Sequence, residues 1–141
     1  MKYNDYLATN TDCNFCELKS SRVIKKRDTA YMTNALAPYC KHHLLVIPYR
    51  HVEEFGDLND EEKKDIDKLL ISGMKSLKLL GHNGCNILLR NGENVGKTIK
   101  HLHYHLIPTI EVGSLNGNHI DRQIMTENEV DQLINEINSL D

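Results

Sequence analysis

Between Asn59 and Gly84 the apolar side chains recur at intervals of three and four, at Ile66, Leu69, Leu70, Met74 and Leu77. This spacing puts them on one stripe of an α-helix. The pattern opens on Asn59-Asp60-Glu61-Glu62, a cap residue with an acidic first turn that complements the helix dipole, and Gly81-His82-Asn83-Gly84 stops it after about Leu80. A second helix is predicted near the end of the chain. Thr126 and Glu129 have capping-box spacing, and Val130, Leu133, Ile134 and Ile137 form its apolar face. Elsewhere the apolar runs are strand-length. Val23 and Ile24 read as a short strand, and Thr29 to Met32 as another, ending at Thr33-Asn34 before a loop with Pro38. His43 to Ile47 is a buried strand closed by Pro48, and Cys85 to Arg90 is the next. Gly113 to His119 reads as a polar loop. Strands joined by short loops, with one long helix inserted and one appended, predict an α+β fold with an antiparallel sheet of about five strands.

The last strand carries the chemistry. In Lys100-His101-Leu102-His103-Tyr104-His105-Leu106-Ile107-Pro108, three of the chain's eight histidines alternate with apolar residues. Period two is a strand pattern, so His101, His103 and His105 share one face, about 7 Å apart, while Leu102, Tyr104 and Leu106 face the core. Three imidazoles on one face cost desolvation and repel one another when charged. A surface strand has no need of that arrangement, which instead suits one shared phosphate or one metal.

Composition narrows the setting. A chain of 141 residues with 40% hydrophobic content suits one domain with one core. The net charge of −3, with cations interspersed among anions, argues against a nucleic-acid footprint, and Lys25-Lys26-Arg27 reads as a solvated loop. No apolar run reaches membrane-spanning length, and Met1-Lys2-Tyr3-Asn4-Asp5 lacks the apolar stretch of a secretory signal, so a cytoplasmic protein is expected. There, four cysteines imply thiols or metal ligands more than disulfides. Residues 1–12 are polar apart from Tyr3, Tyr6 and Leu7 and read as a loosely attached leader. Cys13-x-x-Cys16 follows, which by itself fits a redox pair, half a metal site or two buried thiols. No βαβ context supports a thioredoxin-like role. The imidazoles outside the triplet are His42, His43, His51, His82 and His119; Cys40 and Cys85 have no partner pattern, and Cys85 reads as core.

His101-Leu102-His103-Tyr104-His105-Leu106-Ile107 resembles the signature of the histidine triad (HIT) superfamily of nucleotide hydrolases and transferases. Upstream, Asn91-Gly92-Glu93-Asn94-Val95-Gly96-Lys97-Thr98-Ile99 resembles that family's glycine-containing phosphate loop, and His43-Leu44-Leu45-Val46-Ile47-Pro48 its other characteristic strand. The chain is similar to the zinc-containing, bacterial-type members that resemble diadenosine polyphosphate hydrolases. The resemblance implies a single HIT-like domain over residues 1–141, with a leader at 1–12, a zinc and catalytic core at 13–108, and a C-terminal loop and helix at 109–141. It further implies a homodimer in which two sheets join. Zinc-binding members carry an N-terminal CxxC, a ligand histidine just past the proline-ended strand, and the first triad histidine as fourth ligand. Here these positions are Cys13, Cys16, His51 and His101, a closed and therefore structural zinc.

By the same resemblance His103 is the nucleophile. It must be neutral, with Nδ1–H tied to a carbonyl so that Nε2 attacks phosphorus and forms a nucleotidyl-histidine. His105 matches the histidine on the leaving-group side, placed to donate a proton or a hydrogen bond. Gly96 would admit the phosphate to the backbone, and Thr98 would donate to its oxygens. Two cations, Lys97 and Arg90, stand where the family commonly has amides, which predicts preference for a longer polyphosphate. Asn34 resembles the ribose-contacting residue, although the Asn34-to-His43 spacing is one longer than the family pattern and His42 replaces the usual glycine. His43 reads as a structural hydrogen bonder. The leading expectation is a hydrolase of dinucleoside polyphosphates such as diadenosine tetraphosphate, with a nucleoside phosphoramidase or nucleotidyltransferase as the near alternative. From other classes stand a metal-dependent hydrolase using all three histidines as ligands and a non-catalytic nucleotide-binding protein. The phosphate loop with Thr98 favours phosphate chemistry over both of these. Its partners are the nucleotide and a second copy, with no nucleic acid or membrane.

Overall fold

The computed structural model describes residues 1–9, 13–96, 99–108 and 122–140. The β-branched and Leu-rich runs form a five-stranded antiparallel sheet in the order β1-β2-β3-β5-β4. The strands are β1 (Lys25–Lys26), β2 (Ala30–Asn34), β3 (Leu44–Pro48), β4 (Asn86–Leu89) and β5 (Tyr104–Ile107). β3 and β5 lie inside the sheet and are buried along their whole lengths. The early strand expected at Val23-Ile24 lies one step later, because Ile24 only begins the pairing through its N–H to Met32 O.

Alternation along the strands separates two faces. On one, Ala30, Met32, Leu44, Val46, Leu102, Tyr104 and Leu106 meet the buried stripes of α2 (Asp60–Leu79) and α3 (Glu127–Asn138). On the other, Tyr31, Ala35, Leu45 and Ile47 form a smaller cluster with Phe15, and the histidines lie on this side. Both helices begin where the sequence predicts, with complete capping boxes at Asn59/Glu62 and Thr126/Glu129. Glu62 has a second use: its carboxylate takes Arg50 bidentately, at 2.7 and 3.2 Å, tying the chain beyond β3 to the start of α2. Asp65 anchors the next turn of α2 by accepting from Arg27 Nε, Thr29 N and Thr29 Oγ1.

Gly73 faces the sheet, and a Cβ there would meet Leu106 Cδ1 at 2.5 Å and Met32 Sδ at 3.1 Å. Glycine at that position allows α2 to approach the triad strand closely.

The N-terminal residues differ from the loose leader expected of them. α1 (Tyr3–Thr9) forms, Tyr3 is buried, and Lys2 bridges Gln123. Tyr3 N–H donates to Arg122 O, and Ile124 N–H donates to Met1 O. The physical reason is a pairing across the length of the chain, invisible to local composition. The polar loop expected at Gly113 to His119 lies outside the described residues.

Candidate active site and metal centre

Cys13, Cys16, His51 and His101 converge, each offering one ligand atom, with all four atoms within 4.8 Å of one another. Cys16 Sγ lies 3.2 Å from His51 Nδ1 and 3.4 Å from His101 Nδ1, and Cys13 Sγ lies 3.4 Å from His101 Nδ1. Tetrahedral bonds of about 2.0 to 2.3 Å put ligand atoms about 3.3 to 3.8 Å apart, so this donor set fits a four-coordinate ion. His101 is fully buried, and its Nε2–H donates to Pro48 O at 2.7 Å, which turns the Nδ1 lone pair toward the thiols. Burial, then the hydrogen bond and charge of Cys13, push the Cys16 thiol up to about 11. Two thiolates side by side need a cation between them. Three of the five imidazoles outside the triplet are used elsewhere or lie outside the described residues; His43 is discussed below, and His51 alone joins this cluster.

The other two triad histidines have opposite tautomers, set by their neighbours. His103 Nδ1–H donates to His101 O at 2.8 Å, so Nε2 is the nitrogen with the lone pair, as nucleophilic attack requires. For His105 the chain of bonds begins at the backbone. Tyr39 N–H donates to His43 Nδ1 at 3.2 Å; His43 therefore holds its proton on Nε2 and donates to His105 Nδ1 at 2.8 Å. His105 is left with its proton on Nε2, a hydrogen-bond donor. Desolvation, followed by the charges of Arg122, His103 and Arg90, lowers His43 to about 3. Desolvation, followed by the charges of His103, His43, Arg90 and Arg122, holds His105 well below its ordinary value. Both imidazoles are neutral at physiological pH. His43 is thus the structural hydrogen bonder that the sequence suggests.

His103 and His105 line a pocket with Arg90, Gly96, Ile99, Phe15, Tyr3 and Arg122. Arg90 is brought to the site, and Gly96 has φ +80, a left-handed conformation that glycine adopts without strain. Lys97 and Thr98 lie outside the described residues. Asn34 lines an adjoining pocket that shares Phe15, Leu36 and Ile99 with the histidine pocket, together with Tyr6, Leu18 and Arg22. Its amide nitrogen is engaged by Ala35 O and Met125 Sδ. His42, in place of glycine, does adopt φ +69, and its ring bonds His82 and Glu136.

Two residues at the site escape sequence reasoning. Phe15, inside the CxxC loop, packs its ring 5.0 Å from that of His103 and 5.9 Å from that of His101, and its carbonyl accepts from Tyr31 Oη. The signal was its place between the two cysteines. Arg122 comes from far along the chain and has no local signal at all.

The HIT domain model matches residues 17–112. The adenosine 5'-monophosphoramidase of Schizosaccharomyces pombe is 34% identical over 100 residues, which are 68% of this chain and 73% of that protein. The AP-4-A phosphorylase of Mycobacterium tuberculosis is 32% identical over 88 residues, 61% of this chain and 45% of that longer protein. Among solved structures, a zinc-bound histidine triad family protein from Mycobacterium smegmatis superposes with a TM-score of 0.66 at 19% identity, covering 92% of this chain and 98% of that one. That domain model spans about two thirds of the sequence, and the chain belongs to the HIT-domain family.

Proposed function

We propose that this protein is a nucleotide phosphohydrolase that acts through a nucleotidyl-histidine and cleaves dinucleoside polyphosphates of the diadenosine tetraphosphate type. The observation that carries the reading is the pair of opposite tautomers: a lone pair on His103 Nε2 beside a proton on His105 Nε2. In the first step His103 Nε2 forms a bond to the α-phosphorus while the bond to the bridging oxygen breaks. In the second, water adds its oxygen to that phosphorus and the P–N bond breaks, which returns the electron pair to Nε2 and releases the nucleoside monophosphate with a proton.

The leaving group separates this reading from its nearest rival. A departing polyphosphate is stable as an anion at neutral pH and needs only a hydrogen bond from His105. An amine leaving from a phosphoramidate needs a full proton, which a neutral imidazole supplies poorly. Arg90 and Arg122 at the pocket add cations suited to several phosphate charges. The phosphoramidase reading stays as the second, on the identity of the S. pombe relative. Asn34 and the adjoining pocket would take the nucleoside, while Gly96, Lys97 and Thr98 would hold the phosphate.

Cys13, Cys16, His51 and His101 would hold one structural zinc, which supplies no activated water because all four positions are filled by protein. A cytoplasmic homodimer joined through the sheets completes the reading. Strand β4 at the sheet edge carries the half-exposed Ile87, a surface a second copy would cover.

The test is turnover of diadenosine tetraphosphate, adenosine phosphoramidate and ADP under identical conditions, with acid quench. Wild type should cleave the tetraphosphate fastest and yield protein carrying covalent nucleotide. His103→Ala should stay folded, trap nothing, and lose at least about a thousandfold in kcat. Undiminished turnover by His103→Ala would refute the mechanism.

A further inference from the structure

We propose that Arg122 forms a second phosphate subsite, on the leaving-group side of the histidine pocket, so that the paired segments at residues 1–3 and 122–124 set the length of polyphosphate the site accepts. The proposal rests on the hydrolase reading above for its biological meaning, and on its own geometry for the binding.

Arg122 lines the pocket that contains both His103 and His105. Its guanidinium is held on two sides, with its central carbon 4.0 Å from the Tyr39 ring centroid and 4.8 Å from that of Tyr3. A third restraint is Nη1–H donating to Ala37 O at 2.9 Å. The backbone on either side is fixed too, through Tyr3 N–H to Arg122 O and the bridge from Lys2 to Gln123. A long side chain restrained in this way loses little further entropy when it binds a ligand.

Its charge, however, has no carboxylate partner among the described residues. Its polar partner is a neutral carbonyl. The guanidinium reaches far enough to depress both His43 and His105, which places it within electrostatic range of the pair at the bottom of the pocket. Two other arginines, Arg27 and Arg50, are paired with Asp65 and Glu62. A pre-positioned arginine without such a partner, opening on a pocket with a nucleophilic imidazole, fits an anion brought by the ligand. The first phosphate must sit at His103 for attack, so the anion near Arg122 is a further phosphate of the same chain. A substrate with a single phosphate does not extend to it.

Binding can be measured without turnover. Calorimetric titration of the His103→Ala protein with inorganic tripolyphosphate and with AMP gives two affinities, and the Arg122→Gln change added to that background should raise the tripolyphosphate Kd at least tenfold more than the AMP Kd. In the catalytically intact protein, Arg122→Gln should lower kcat/KM for diadenosine tetraphosphate at least tenfold more than for adenosine phosphoramidate. Arg122→Lys, which keeps the charge and loses the planar fork, should fall between wild type and Arg122→Gln on both ratios; this variant carries the test if Arg122→Gln does not fold. Equal losses for long and short ligands, or no loss in a folded variant, would overturn the subsite and leave Arg122 a structural brace. If tripolyphosphate binding depends on Arg122 while wild type hydrolyses none of the three substrates, the subsite stands and the hydrolase reading falls.

Discussion

His103 and His105 are the same amino acid two positions apart, and the protons they carry are decided by a single bond each. One donates to the backbone carbonyl two residues before it; the other accepts from His43, which is itself fixed by a backbone amide. The depressed values of His43 and His105 have a consequence for stability. Both are bases whose folded-state values lie below the ordinary 6.5, so between about pH 6.5 and 3 the unfolded chain binds protons that the native protein refuses. Stability is therefore unaffected by this pair above pH 6.5 and is lost as pH falls. His43 alone contributes a loss of about 2 kcal/mol by pH 5. Urea unfolding at pH 7 and pH 5 should show it, and His43→Gln should lower stability at pH 7 yet reduce the difference between the two pH values. A difference unchanged in that variant would assign the acid sensitivity to other groups.

At the scale of elements, the helices and inner strands were legible because their signals are local. Capping boxes at Asn59 and Thr126, and alternation through His101 to Ile107, of which Tyr104–Ile107 pair as β5, each occupy a few consecutive residues. Alternation even sorted the triad correctly into an imidazole face and a core face. What it could not supply was pairing between distant segments. Arg122 has no pattern around it, α1 gains its place from residues over a hundred positions away, and the face taken by Asn34 depends on its register with β3. Gly73, which the helix periodicity does not mark, is in the fold a point of close approach. Gly73→Ala should gain roughly 0.5 to 1 kcal/mol of helix propensity and cost about 1 to 3 kcal/mol in overpacking against Leu106 and Met32. The net expectation is destabilisation by about 1 kcal/mol, read by chemical denaturation, and a more stable protein would show that the Leu106 side chain can give way.

For the whole molecule, the cluster of Cys13, Cys16, His51 and His101 joins three separate parts of the chain: the CxxC loop, the segment after β3 and the entrance to the triad strand. With zinc bound, removing it should loosen all three together. Metal analysis is expected to find about one zinc per chain, and strong chelator or Cys13→Ser should lower Tm by on the order of 10 °C. An equally stable, metal-free preparation under reducing conditions would show that the cluster does not depend on an ion. The paired ends of the chain impose a further condition, this time on the order of folding. Lys2 and Tyr3 find their partners at Gln123 and Arg122, so the helix α1 cannot settle until nearly all the intervening chain is in place. Closing a loop of that length is entropically costly and is postponed until the sheet has brought its ends close. During synthesis on a ribosome, the segment that emerges early would wait for one that emerges late. The arginine subsite would thus be among the last parts of the pocket to form, after the triad strand has already joined the sheet.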